Sequence, residues 1–132
     1  MEIDFKNLLT GDPAILALVE TRITPSVYSQ ATADPAIRYQ KITGNIGLHM
    51  QGSDGLSSDL MQVDVRSATA AETISIKAAI IARLHGFEGR QGSTDFRVIA
   101  LRDDRGVKFE KTDSKSYYTC SMDFDVWSRR AL

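Results

Sequence analysis

A chain of 132 residues, 42% hydrophobic and 25% charged, has the length and composition of one globular domain that builds a core without metals or disulfides. Its 16 Lys+Arg against 17 Asp+Glu give a formal net charge of -1, which argues against a dedicated nucleic-acid binder. A single cysteine, Cys120, excludes an intramolecular disulfide and a multi-cysteine zinc site. The opening Met1-Glu2-Ile3-Asp4-Phe5 lacks the basic and apolar regions of a signal peptide, and no apolar run approaches the roughly 20 residues of a membrane helix. The expectation is a soluble product of a reducing compartment.

Ile3, Phe5, Leu8 and Leu9 mark a short amphipathic helical stretch that ends at Gly11. Asp12 then suits an N-cap and Pro13 the first helical position, where its missing N–H would be unpaired anyway. A compact apolar helix follows over Ala14 to Val19, and Ile23-Thr24-Pro25 reads as extended chain because the residue before proline avoids the α region. Ser26 to Asp34 is a polar loop. Ala36 to Ile42 alternates as a strand, with Ile37 and Tyr39 on one side and Arg38 and Gln40 on the other.

Thr43 to Ser58 carries glycines at 44, 47, 52 and 55 and reads as a flexible ribbon or long hairpin tip. Leu60 to Arg66 is a half-buried strand with Met61, Val63 and Val65 inward. Thr69 and Glu72 have capping-box spacing, and Ala70, Ile74, Ala78, Ile81 and Leu84 form the stripe of the main helix, broadened by Ile76 and Ile80. Gly86 is the expected helix stop. After a loop over Phe87 to Thr94 come a strand over Phe96 to Arg102, a turn at Asp103-Asp104-Arg105-Gly106, and a strand from Val107 to Glu110. A turn at Thr112-Asp113-Ser114 leads to a regular last strand, with Tyr118, Cys120, Met122, Phe124 and Val126 on one face, and a short basic tail. This order predicts an α+β fold: an antiparallel sheet of about four to six strands, with one main helix and a short N-terminal helical region packed on one face.

No residue set assembles a reaction. A nucleophile needs a base and an orienting acid, and the two histidines are His49, in the glycine-rich stretch, and His85, whose cation would suit a helix C-terminus. Cys120 lies on the core face as a small hydrophobe. Asp123 and Asp125 show the i, i+2 alternation of a wet strand face and lack further oxygen ligands for Mg²⁺; Asp103-Asp104 fits turn chemistry. Catalytic residues, metal ligands and cofactors are therefore not expected.

Several of these stretches together resemble a known family. Leu8-Leu9-Thr10-Gly11-Asp12-Pro13-Ala14-Ile15, then Arg22-Ile23 and Pro25, are similar to the opening of the tail completion, or tail terminator, proteins of long-tailed phages and gene transfer agents. Pro35-Ala36-Ile37-Arg38-Tyr39-Gln40 is similar to the family's second element. Met61-Gln62-Val63-Asp64-Val65 with Ala68-Thr69, and Leu84-His85-Gly86-Phe87, resemble its strand, helix and closing loop. Colinearity over nearly the whole chain carries the resemblance. It implies a single tail-terminator-like domain over 1–132 and a non-enzymatic virion protein made in the bacterial host cytoplasm. Such a protein forms a ring, typically hexameric, on the head-proximal end of the tail tube, ending tube polymerisation and allowing head–tail joining. The implied partners are other copies of itself, the tail tube protein and the head–tail connector protein, with no membrane and no specific nucleic-acid sequence.

A closed ring needs two different complementary patches. Ile46, Leu48, Met50 and Leu56, apolar residues on a glycine-rich stretch, are the candidate subunit or tube contacts; the alternative is an ordinary hairpin folded back on itself. Two other readings remain: a ring-forming connector on the head side of the junction, and a monomeric ligand-binding or enzymatic α+β domain with a concave pocket of convergent polar groups.

Overall fold

The computed structural model describes residues 2–20, 22–25, 35–49, 52–111 and 116–130, and the side-chain surroundings of all these except 45–49, 52–55 and 130. In chain order the elements are α1 (Glu2–Thr10), α2 (Pro13–Val19), β1 (Ile23–Pro25), β2 (Ala36–His49), β3 (Gly52–Ser67), α3 (Ala70–Leu84), β4 (Gly89–Gln91), β5 (Thr94–Lys111) and β6 (Ser116–Arg130). The strands form one six-stranded sheet in the order β1-β2-β3-β6-β5-β4. It is antiparallel throughout except for β1, which lies parallel to β2. The α+β expectation holds, at the upper end of the expected strand count.

Strand alternation decides which face is covered. Ile37 and Tyr39, Met61, Val63 and Val65, and Cys120, Met122, Phe124 and Val126 are buried with Phe5, Leu8, Leu9, Ile15, Ile76, Ile80 and Leu84 from the helices. Each aliphatic side chain buried there contributes about 1.5–3 kcal/mol. Asp12 caps α2 through its carboxylate, which accepts the Ala14 N–H at 3.4 Å. Buried Asp4 ties α1 to the start of β5 by accepting the Thr94 hydroxyl at 2.6 Å, and Arg83 ties α3 to α1 by donating Nε–H to the Leu8 carbonyl at 2.9 Å.

The start of α3 shows half of the expected capping box. The Thr69 hydroxyl accepts the Glu72 N–H at 3.2 Å, but the Glu72 carboxylate takes the Ser67 hydroxyl at 2.9 Å, and Ser67 Oγ accepts the Thr69 N–H at 3.3 Å. Ser67 thus relays the second bond. The buried stripe of α3 is Thr73, Ile76, Ile80 and Leu84, whereas Ile74 is 51% exposed. The apolar residues around the helix allowed either rotation. Thr73 enters the interior at little cost because its hydroxyl donates to the Thr69 carbonyl at 3.0 Å.

Gly86, with φ +82°, stops the helix as expected. His85 does more than end the helix: its Nδ1 accepts the Leu101 N–H at 2.9 Å, which ties the end of α3 to β5.

Two stretches are more regular strand than expected, for one reason. Thr43 to Ser58 is a hairpin, but most of its glycine-rich backbone lies within the long strands β2 and β3. Gly44 is needed there because a Cβ would stand 2.1 Å from Oδ1 of buried Asp59, which pairs with the Lys41 Nζ at 3.2 Å. Asp103 to Gly106 is no turn: β5 runs unbroken through it, opposite β6, and register shifts after Leu101 and Arg105 absorb the extra residues. In both places ladder bonds to a long neighbouring strand outweigh local turn preference. Likewise β6 continues into the expected tail, where Ser128 is buried opposite Phe96. The predicted loop at 26–34 and turn at 112–114 lie outside the described residues.

Candidate functional site: a polar network across four strands

The face of the sheet away from the helices carries the residues that alternate with the core. Register aligns Arg38 of β2, Asp64 of β3, Ser121 of β6 and Arg105 of β5 in a single row. Asp64, 5% exposed, sits at its centre. It accepts Arg38 Nε–H at 2.8 Å and also Arg38 Nη2, Gln62 Nε2 at 2.9 and 3.2 Å, and the Ser121 hydroxyl at 2.6 Å. Ser121 Oγ in turn accepts Gln62 Nε2 at 3.1 Å and Arg105 Nη2 at 2.8 Å. Arg105 grips Asp123 with both Nη atoms at 2.8 Å and reaches Asp103 at 3.1 Å. The Asp123 hydrogen bond, with both aspartates nearby, holds the Arg105 guanidinium even more firmly protonated than usual.

Above the row is a concavity of about 380 Å³, lined by Arg38, Arg66, Arg105, Lys108, Tyr117 and Ser121 among others. Arg66 stacks over the Tyr117 ring at 5.9 Å. The chemistry of this face is pairing. Ser121 donates its hydroxyl to a carboxylate that also takes three donors from Arg38 and Gln62, so the hydroxyl is spent within a charge-pairing row. These bonds join side chains of four strands, which stiffens the strands and fixes their register.

The residues weighed for chemistry fall elsewhere or into this network. Asp123 is the clamp for Arg105, and Asp125 faces Arg102 at 3.5 Å. Asp104 pairs with Lys77 of α3 at 3.2 Å. Cys120 is 3% exposed, and burial pushes its thiol up to about 11. Among the described residues no group of three or more His, Cys, Asp or Glu is placed to hold a metal ion. Ile46 and Leu48 lie in β2, opposite Ser57 and Ser53, with their side chains outside the described set. Met50 is outside the described residues altogether, and Leu56 is half-buried opposite Arg129. Alternation places Arg38 and Asp64 on wet strand faces, but their union depends on register, which no single strand supplies; Arg105 sits in a stretch of turn composition.

Fold and surface together define an α+β domain whose polar residues stitch strands instead of converging on a reactive atom. No protein-family model matches the sequence, and no curated protein matches it. Solved structures do. One is a chain from the "Virion of native gene transfer agent (GTA) particle", with a TM-score of 0.68 over 93% of this chain and 90% of that chain, at 14% identity. The likeness is one of fold, and it runs almost end to end. No helix among the described residues is long and apolar enough to cross a membrane.

Proposed function

We propose that this protein is a structural component of a phage-type or gene transfer agent virion, and within it the tail terminator. It caps the head-proximal end of the tail tube as a ring, ends tube polymerisation and meets the head–tail connector. The observation that carries the reading is the near end-to-end fold likeness to a gene transfer agent virion chain. The colinear tail-terminator resemblance narrows it from virion protein to terminator. The paired polar face fits a scaffold better than a reaction centre. Ring closure, with six copies as the expectation, then needs two complementary patches, and Ile46, Leu48, Met50 and Leu56 are proposed for one of them or for the tube contact.

The test is negative-stain imaging of particles made without the protein. Overlong tails, or tails lacking heads, are expected; normal particles would sink the reading. The head-side connector alternative predicts co-purification with the portal-side ring instead of the tail tube. The 380 Å³ concavity favours a small-ligand reading, but a ligand there must displace existing ion pairs.

A further inference from the structure

The two outer edges of the sheet are each covered over only part of their length. Along β2, β1 pairs with Ile37, Arg38 and Tyr39. Along β5, β4 pairs with Thr94, Asp95 and Phe96, and the corner after α3 carries the cover two steps on. There the Gly86 N–H donates to the Ile99 carbonyl, the Ile99 N–H to the Phe87 carbonyl and the Leu101 N–H to His85 Nδ1. Among the described residues, 40–49 of β2 and 102–111 of β5 have no strand on their outer side. Each of these stretches is ten residues, about 33 Å of ladder that no described strand pairs.

The backbone groups that face outward follow from the register. Ile99 spends its N–H and C=O away from β6, and hydrogen-bonding direction alternates along a strand. Carried through the shifts after Leu101 and Arg105, the alternation turns Asp104, Phe109 and Lys111 outward. On β2, Ile37 faces β1, and the shift after Lys41 leaves Lys41, Gly44 and Ile46 outward.

We propose that the open edge of β2 in one copy pairs antiparallel with the open edge of β5 in a second copy, extending the sheet from subunit to subunit. This deepens the ring reading and rests on it for the head-to-tail arrangement. Three features select this occupant. First, β2 and β5 already run in opposite directions within the sheet, so a second copy with its helices on the same side presents an antiparallel edge. Second, a like-with-like dimer satisfies one edge and leaves the other exposed, whereas β2 against β5 satisfies both. Third, seven of the ten residues from Arg102 to Lys111 are charged, so two β5 edges would set charge rows against each other; on β2 the stretch 40–49 brings only Lys41 among Asp, Glu, Lys and Arg, and Asp59 holds it.

The open halves lie at opposite ends of the sheet: the rows of Thr43 and Ile46 reach Ala100 and Phe96 on β5, where the edge is covered. Joined copies are therefore staggered along the strands, and a staggered sheet closes when its strands tilt from the ring axis.

The experiment compares D104P/F109P, which removes two outward N–H groups, with D104A/F109A, which removes the same side chains and keeps them. Thermal melts establish that both fold, and sedimentation velocity and incorporation into particles read assembly. The alanine pair is expected to assemble and the proline pair to do so at least about tenfold more weakly. Equal assembly of the two, failure of both, or absence of self-association by the unaltered protein in solution and in particles would each overturn the pairing. Should the proline pair not fold, hydrogen exchange on the unaltered protein decides. The amides of Asp104, Phe109 and Lys111 must slow on assembly, and unchanged rates refute the proposal. Tails of normal length in particles lacking the protein would remove the terminator role, while edge protection in assembled protein would still stand.

Discussion

Asp64 shows how a residue's environment is made by its neighbours. Alternation alone marks it as solvent-facing, yet four donors from Arg38, Gln62 and Ser121 enclose it and leave it 5% exposed. Cys120 is the converse, a residue whose setting its strand alternation already announces. Its thiol is held protonated by burial, with a folded value of about 11 against the ordinary 9.0. Because the folded value is the higher, the folded state gains nothing while both states are protonated. It loses ground as pH rises through 9, where the unfolded thiol ionises, until the folded thiol ionises near 11. The stability advantage of the natural protein over Cys120→Ala should therefore shrink by about 2–3 kcal/mol between pH 8 and 11.5, measured by denaturant unfolding. A constant difference would mean the thiol is not sequestered.

At the scale of elements, β5 is the instructive case. Asp103-Asp104-Arg105-Gly106 has the composition of a turn, and an isolated peptide would satisfy that preference. In the folded chain β6 lies alongside as a 15-residue partner, and Arg105 gains two bonds to Asp123 only when extended. Gly106 then has no need of its special freedom: its φ is not positive and an added Cβ meets open space. Gly106→Ala should leave the melting temperature unchanged or raise it slightly, with a gain of about 0.4–1 kcal/mol from the stiffer unfolded chain. A loss above about 1 kcal/mol would instead restore the turn. The rotation of α3 has the same origin. The expected stripe ran through Ile74, but contact with β3, β5 and β6 turns the helix so that Thr73, Ile76, Ile80 and Leu84 are buried and Ile74 is exposed.

For the whole molecule, a sheet covered by helices on one face and stitched by ion pairs on the other leaves its edges and the β2–β3 hairpin for the assembly proposed above. Replacing Ile46, Leu48 and Met50 together with serine should abolish ring or tail assembly while the monomer keeps its melting transition. Sedimentation velocity and tail imaging would check this, and unchanged assembly would exclude the hairpin as a contact. The edge pairing proposed above uses the same hairpin through its backbone, so proline on β5 and serine on the β2–β3 hairpin probe the two contributions separately.

Caps and two-residue alternation are local properties of the chain, and they alone give the α+β class, the starts of α2 and α3 and the inward faces of β3 and β6. Alternation also places Cys120 inside. The pairing of β1 parallel to β2, the continuity of β5, the rotation of α3, the use of His85 as an acceptor and the union of Arg38, Asp64, Ser121 and Arg105 come from the packed chain. Each of these depends on which distant strand lies alongside. Register is a property of the partner strand and cannot be read from either strand alone.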